Sequence, residues 1–245
     1  NNLAGNVMYG IKLGVLYRGE RELCFLPLAH AYSCAFNFLV PMAVGAHVYL
    51  LGKVPSPKIL LKAFEEVKPN LILTVPLILE KIYKKMILPQ LSKTTMKLAL
   101  NIPLLDSRIY AQIRKKLVDS FGGRFREVIV GGAAMNEEVT NFLYKIKFPF
   151  TIGYGMTECG PLISYDHNDE YVPGSCGQIL KGIMKVRIDS EDPYDKVGEI
   201  QVSGENVMKG YYKNEEATSK VFTEDGWLRT GDLGTIDADN RIYIR

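Results

Sequence analysis

The sequence predicts an α/β fold: a mostly parallel sheet layered with flanking helices, followed by a small antiparallel β subdomain. Two observations carry that expectation. Over residues 1–170, unalternating apolar runs such as 71–75 take turns with segments whose apolar residues recur at helical spacing. A run without alternation suits a strand covered on both faces, the usual state of a parallel strand between helices. From about residue 171 the pattern changes. Short alternating segments, 185–188 and 199–202 among them, are separated by clusters of Gly, Pro, Asp and Asn, as antiparallel strands joined by turns require. The expected division is an α/β subdomain over 1–170 and a β-rich subdomain over 171–245.

The elements can be justified in order. Residues 23–26 form a short apolar run stopped by Pro27, and 46–51 form another closed by Gly52. Ser56-Pro57 supplies an N-cap and a first-turn proline for a helix whose Leu60, Ala63, Phe64 and Val67 share one face. Pro69-Asn70 is expected to end it before the strand at 71–75. Lysine-rich helices are expected around 77–87 and 107–119. Gly122-Gly123 then turns the chain into a strand at 125–130. Asn136 caps the next helix, Glu137 and Glu138 complement its dipole, and Val139, Phe142, Leu143 and Ile146 form its inward stripe. Residues 148–152 make the strand before Tyr154. No internal repeat or low-complexity segment interrupts this order.

Composition narrows the function classes. The 30 Lys and Arg stand against 27 Asp and Glu, a net charge of +3, which gives no electrostatic footing for nucleic-acid binding. Cys24, Cys34, Cys159 and Cys176 have no metal-ligand spacing and read as free thiols of an intracellular, cytoplasmic protein. The longest apolar stretch, 35–51, is broken by Asn37, Pro41, Gly45 and His47, so it does not read as a transmembrane helix. Peripheral association with a membrane surface stays compatible with this composition. The opening residues from Asn1 carry no initiator Met or signal pattern, and residues 242–245 read as a strand. The chain is therefore expected to be the central piece of a larger domain.

Two motifs follow strands directly: Gly131-Gly132-Ala133-Ala134 and Gly153-Tyr154-Gly155-Met156-Thr157-Glu158. Small residues let a backbone approach a base or phosphate, an aromatic can stack, and Thr-Glu can hold a phosphate and its metal. Each has a plainer reading when taken alone. A double glycine is often only a turn, Tyr154 a loop aromatic, Thr157-Glu158 a helix's first turn, and Gly231-Asp232 turn chemistry. His30, solitary in an apolar segment, reads by itself as a buried and satisfied side chain, and His47 and His167 read as structural.

Taken in chain order, these motifs and four others resemble a known family. The others are Leu26-Pro27-Leu28-Ala29-His30, Gly198-Glu199-Ile200, Val207-Met208-Lys209-Gly210-Tyr211-Tyr212 and Asp225-Gly226-Trp227-Leu228-Arg229-Thr230-Gly231-Asp232-Leu233-Gly234. The set is similar to the adenylate-forming enzymes: acyl-CoA synthetases, luciferases and peptide-synthetase adenylation domains, with long-chain fatty acid–CoA ligases the nearest in pattern. The resemblance implies that Gly131, Gly132, Ala133 and Ala134 line an adenine. It implies that Tyr154 stacks on the base, with Gly155 and Met156 beside the nucleotide. Thr157 would bond the phosphates, Glu158 would hold Mg²⁺, and Asp232, on a tight turn, would accept from the ribose hydroxyls. Thr157 and Glu158 would be the catalytic pair, and His30 and Gly153 would meet the acid substrate. ATP and Mg²⁺ are the implied cofactors, CoA the co-substrate, and a fatty acid, ATP or AMP and CoA the implied partners.

Some of the family's parts are not in these 245 residues. A Ser/Thr/Gly-rich phosphate loop belongs before Asn1-Asn2-Leu3, and a ribose-binding arginine and a lysine-bearing domain belong after Arg245. The resemblance thus implies that the chain alone does not complete the reaction. Ile152 stands where the family often has a polar residue. No Asp or Glu occurs between Glu22 and Glu65, and a substrate ammonium left without a carboxylate partner is costly; this argues against an amino acid as substrate. The alternatives to a long-chain fatty acid are an aryl or medium-chain acid, transfer to an acyl carrier protein, luciferase-like oxidation, or a nucleotide-binding module without catalysis.

Overall fold

The computed structural model describes residues 2–102 and 105–245. Asn1, whose segment the family places after its phosphate loop, lies outside the described residues. The chain opens with α1 (Asn2–Leu13) and β1 (Arg21–Cys24). One continuous helical run follows, made of α2 (Ala31–Ser33), a π-helical stretch (Cys34–Leu39) and α3 (Val40–Val44). Gly45, in the left-handed conformation at φ 75°, ends it before β2 (His47–Leu50). Then come α4 (Pro57–Val67), β3 (Leu71–Thr74), α5 (Pro76–Ile82), a second π-helical stretch (Tyr83–Ile87), α6 (Leu88–Leu91), α7 (Thr94–Leu100) and α8 (Leu105–Ser120). The strand β4 (Glu127–Val130), the helix α9 (Glu137–Lys145) and β5 (Phe150–Ile152) complete the first sheet.

β1 to β5 form a parallel sheet in the order β2-β1-β3-β4-β5. Its inner strands β3 and β4 are buried at every position, which is why their sequences carry no polar alternation. Successive side chains go to opposite faces. Leu71, Leu73 and Ile129 enter one core, shared with the 31–44 helical run, whereas Ile72, Val128 and Val130 enter the other, under α4, α5, α8 and α9. The expected caps are made. The Ser56 hydroxyl accepts from the Ile59 amide at 3.4 Å, and Asn136 Oδ1 accepts from the Val139 amide at 3.2 Å. α4 ends at Val67, directly before Pro69-Asn70, with Lys68 as its left-handed cap at φ 51°.

The antiparallel part follows. β6 (Tyr154–Gly155), β7 (Leu162–Tyr165) and β8 (Gln178–Ile179) form a small sheet. β9 (Met184–Asp189), β10 (Gly198–Gly204), the helix α10 (Glu215–Val221), β11 (Leu228–Ile236) and β12 (Ile242–Ile244) follow, and the four strands pair in the order β12-β11-β10-β9. Residue 170 lies between β7 and β8, which pair through Ser164–Ile179 and Tyr165–Gln178. Among the described residues no helix is long and apolar enough to cross a membrane.

β7 is pinned at both ends by buried polar side chains. At its start, Asn6 of α1 is fully buried; its Oδ1 accepts from the Leu162 amide at 2.9 Å and its Nδ2 donates to the Cys159 carbonyl at 2.9 Å. At its end, the Tyr165 hydroxyl donates to Glu127 Oε1 at 2.6 Å, while the Asn168 amide donates to Oε2 at 3.1 Å. His167 Nδ1 lies 3.4 Å from the same carboxylate. Burial would raise the Glu127 pKa, but His167, Tyr165 and Asn168 together outweigh it and hold the carboxylate below its ordinary value. In return Glu127 raises the pKa of His167.

This network generates a prediction. Glu127 is 3% exposed, so Glu127→Ala strands several buried partners and should cost about 3–5 kcal/mol of stability. Glu127→Gln keeps an acceptor for Tyr165 and should cost less. The pH dependence follows from the two directions. The contribution of Glu127 is complete above the ordinary carboxylate pKa of about 4.3, and that of His167 is complete below about 6.5, declining as pH rises through its raised folded value. Urea unfolding of wild type and His167→Gln should therefore differ more at pH 5.5 than at pH 9; an equal gap at both would remove His167 from the network.

Candidate functional site

The C-terminal ends of β4 and β5 are neighbours in the sheet, and the two motifs emerge from them side by side. Such ends are where open parallel sheets receive ligands. Gly131 continues the sheet, its amide donating to the Thr74 carbonyl at 3.1 Å. Gly132 then turns away at φ 88°, a conformation that strains any side chain. Gly155 is required for a different reason: a Cβ there would sit 2.2 Å from the Pro161 carbonyl oxygen.

Between these loops lies a cleft of about 300 Å³, with His30 and Tyr32 on one side, Gly131 and Gly132 on another, and residues 153–158 along its floor. It brings together nine of the sequence-predicted residues: His30, Gly131, Gly132, Gly153, Tyr154, Gly155, Met156, Thr157 and Glu158. Ala133 and Ala134 continue the loop as exposed residues beyond the lining. Asp232 reaches the group through Tyr154, whose hydroxyl donates to Asp232 Oδ2 at 2.7 Å.

Asp232 is not on a tight turn, as the sequence suggested; it lies inside β11. The β10–β11 pairing shifts register between Glu199 and Gln201, and Gly231 takes φ 76°. A bulge of this kind re-aims a side chain. The Asp232 amide donates to Thr230 Oγ1 at 3.2 Å, which fixes the backbone there. Burial raises the Tyr154 pKa far above its ordinary value; Thr230 opposes this and the Asp232 carboxylate adds to it. The phenol therefore stays protonated and donates. One Asp232 oxygen is used this way, so a single oxygen is left for a ligand.

Thr157 and Glu158 stand on a 3₁₀ turn (Thr157–Cys159) closed by Gly160 in the left-handed conformation. The turn is held from two sides: Asn6 takes the Cys159 carbonyl, and the Met208 amide donates to the Glu158 carbonyl at 2.7 Å. The Glu158 carboxylate accepts from the Tyr211 hydroxyl through Oε1 at 2.8 Å. Among the described residues no group of three or more His, Cys, Asp and Glu gathers as a metal cage. One carboxylate beside a threonine hydroxyl fits a hard cation that takes its other ligands from phosphates and water, as Mg²⁺ does. Cys159 is fully buried, and burial followed by the nearby Glu158 charge pushes its thiol up to about 12. It supplies no thiolate.

His30 is exposed rather than buried. Its Nδ1 accepts from the Tyr32 amide at 3.2 Å, capping α2, so Nε2 is the nitrogen left for the cleft. Tyr32 is a residue sequence reasoning missed. It is 8% exposed, and its hydroxyl donates to the Ile129 carbonyl at 3.1 Å. Behind it lies a wholly apolar chamber of about 20 Å³, walled by Leu13, Phe36, Leu73 and Tyr165 and sharing Tyr32, Ile129 and Leu162 with the cleft. Tyr211 was missed as well. Its motif was visible, but its contact with Glu158 spans 53 positions of sequence.

Comparison with known proteins gives the same frame. The chain is 28% identical to long-chain-fatty-acid–CoA ligase 1 of Saccharomyces cerevisiae, covering 92% of this chain and 35% of the relative. It is 31% identical to 4-coumarate-CoA ligase 1 of Narcissus pseudonarcissus, covering 91% of this chain and 37% of that protein. The chain thus spans little more than a third of these curated relatives. Its fold is that of apo MatB from Rhodopseudomonas palustris, with a TM-score of 0.75 at 22% identity over 99% of this chain and 43% of that one. The model of the AMP-binding enzyme family matches residues 2–212. That span takes in both the helix that carries Asn6 and Tyr211, the tyrosine that meets Glu158, and the chain belongs to the family of AMP-binding enzymes.

Proposed function

We propose that the protein carrying this chain activates a carboxylic acid with ATP and passes the acyl group to CoA, and that the acid is a long-chain fatty acid. The observation that supports the reading is the cleft itself: Tyr154 and the Thr157–Glu158 pair line it beyond the ends of adjacent parallel strands, and Tyr154 links them to the Asp232 carboxylate of β11. In the first step a substrate carboxylate oxygen attacks the α-phosphorus of ATP, and pyrophosphate leaves. In the second, the CoA thiol attacks the acyl carbonyl and AMP leaves.

The roles follow from position. Gly131, Gly132, Ala133 and Ala134 border the adenine, and Tyr154 presents its ring to the base, with Gly155 and Met156 alongside. The remaining Asp232 oxygen accepts from a ribose hydroxyl. Thr157 donates to a phosphate oxygen, and Gly153 and His30 Nε2 meet the acid. Glu158 and the phosphates would hold Mg²⁺, which offsets the negative charge gathered when two anions are joined. The proposed setting is the cytoplasm, with acid drawn from membrane surfaces.

The apolar lining of the small chamber behind Tyr32, which has room for about one methyl-sized group, supports an apolar substrate, as does the lack of acidic residues between Glu22 and Glu65. A second reading, an aryl acid, is favoured by the likeness to 4-coumarate ligases. A panel of palmitate, octanoate and 4-coumarate with the full-length protein separates them. Tyr32→Ala should join chamber to cleft and favour longer acids. Burying two more methylenes at about 0.8 kcal/mol each corresponds to roughly a tenfold gain in kcat/KM for palmitate over octanoate. An unchanged ratio would detach the chamber from the substrate path.

Two further outcomes test the nucleotide site. Glu158→Gln in the full-length protein should lower acid-dependent pyrophosphate exchange by at least about 100-fold while the circular dichroism spectrum is kept. Wild-type exchange would remove Glu158 from the chemistry. Asp232→Ala should weaken AMP binding by about 1.5–3 kcal/mol, the worth of a charged hydrogen bond, and leave fatty-acid binding near wild type. Equal losses for both ligands would point to a folding defect instead.

A further inference from the structure

Glu158 does not stand free on its turn. Its carboxylate Oε1 accepts from the Tyr211 hydroxyl at 2.8 Å, and its carbonyl accepts from the Met208 amide at 2.7 Å. Both donors belong to the segment between β10 and α10. That segment is itself fixed. The Tyr211 amide donates to Thr218 Oγ1 at 2.9 Å, and the Asn214 amide donates to the Tyr211 carbonyl at 3.1 Å. Asn214 in turn caps α10, its Oδ1 accepting from the Ala217 amide at 3.0 Å. The phenol is thus delivered from a braced position onto a carboxylate 53 residues away.

A carboxylate on a short surface turn has rotamer freedom, and a small hard cation demands near-ideal ligand geometry. A donor that takes one oxygen restricts the side chain to orientations in which the other is presented. A neutral phenol does this without cancelling the charge, as a lysine or arginine would. We infer that Tyr211 is the positioning residue of the cation-binding carboxylate, holding Glu158 Oε1 so that Oε2 meets the divalent cation. This rests on the assignment of Glu158 made above and adds a residue that does not line the cleft. Tyr211 is 37% exposed, so loss of its hydroxyl leaves the core untouched.

The test uses Tyr211→Phe and Glu158→Gln in the full-length protein, with Mn²⁺ as the probe and a non-hydrolysable ATP analogue bound. Free Mn²⁺ is read by electron paramagnetic resonance. Loss of a partner behind a metal ligand typically weakens metal binding about 10- to 100-fold, so Tyr211→Phe should raise the Mn²⁺ dissociation constant by about tenfold. Affinity for the nucleotide without metal and KM for the acid should stay at wild-type values, and excess Mg²⁺ should restore the adenylation rate. If Glu158→Gln weakens Mn²⁺ binding but Tyr211→Phe does not, the inference about Tyr211 falls and the assignment of Glu158 stands. If Glu158→Gln also leaves Mn²⁺ binding unchanged, both fall together. A Tyr211→Phe defect that excess Mg²⁺ does not restore would make the phenol a structural support only and overturn the inference.

Discussion

The Glu127 carboxylate, buried at the start of a central parallel strand, is the constraint on which the rest is built. A charge in that position is tolerable only if donors surround it, and the donors come from the chain after β5: the Tyr165 hydroxyl, the Asn168 amide and the His167 ring. Satisfying Glu127 therefore fixes where β7 crosses the parallel sheet. Asn6 fixes the other end of the same strand through its side-chain bonds to residues 159 and 162, its remaining amide hydrogen going to the Asn2 carbonyl. With both ends set, the stretch between β5 and β7 has little freedom. That stretch is the floor of the cleft.

The cleft repeats one local device. Tyr154 donates to Asp232 and Tyr211 donates to Glu158, each tyrosine taking one carboxylate oxygen. Each bond joins the 153–158 run to the β9–β12 part of the chain, once at β11 and once before α10. A phenol suits the task because it binds an anion firmly without neutralising it. Charge-assisted hydrogen bonds are about twice as strong as neutral ones, and in each case the bond engages one carboxylate oxygen and leaves the other to be presented. An arginine in either place would fork across both oxygens and leave nothing to present.

Much of this was legible in the sequence, and the boundary of legibility is physical. β3 and β4 were readable because burial on both faces removes polar alternation, and α4 and α9 because Ser56 and Asn136 are local caps. The glycine motif and the run 153–158 were readable because close backbone approach demands small residues in sequence order. The 31–44 helical run was not. It is apolar nearly all round, carries Pro41 and contains a π-helical stretch, so no 3.6-residue stripe marks it. The roles of Tyr32, Asn6 and Tyr211 were also hidden, since each is defined by a partner 53 or more positions away. The bulge that moves Asp232 from a turn into a strand belongs to pairing between β10 and β11. No window of adjacent residues contains it.

The Asn6 contact has a consequence for how the chain comes to its final form. Its bond to Leu162 closes a separation of 156 residues, and the bond from Tyr154 to Asp232 closes one of 78. Contacts so distant in sequence are entropically late, because intervening segments must be ordered before they reward closure. Local helices and the parallel strand pairs can form while the floor of the cleft is still unheld. The arrangement of Thr157, Glu158 and Tyr154 is therefore among the last features to appear. A chain emerging from synthesis must release residue 232 before the bond from Tyr154 can close and the cleft can take its final form.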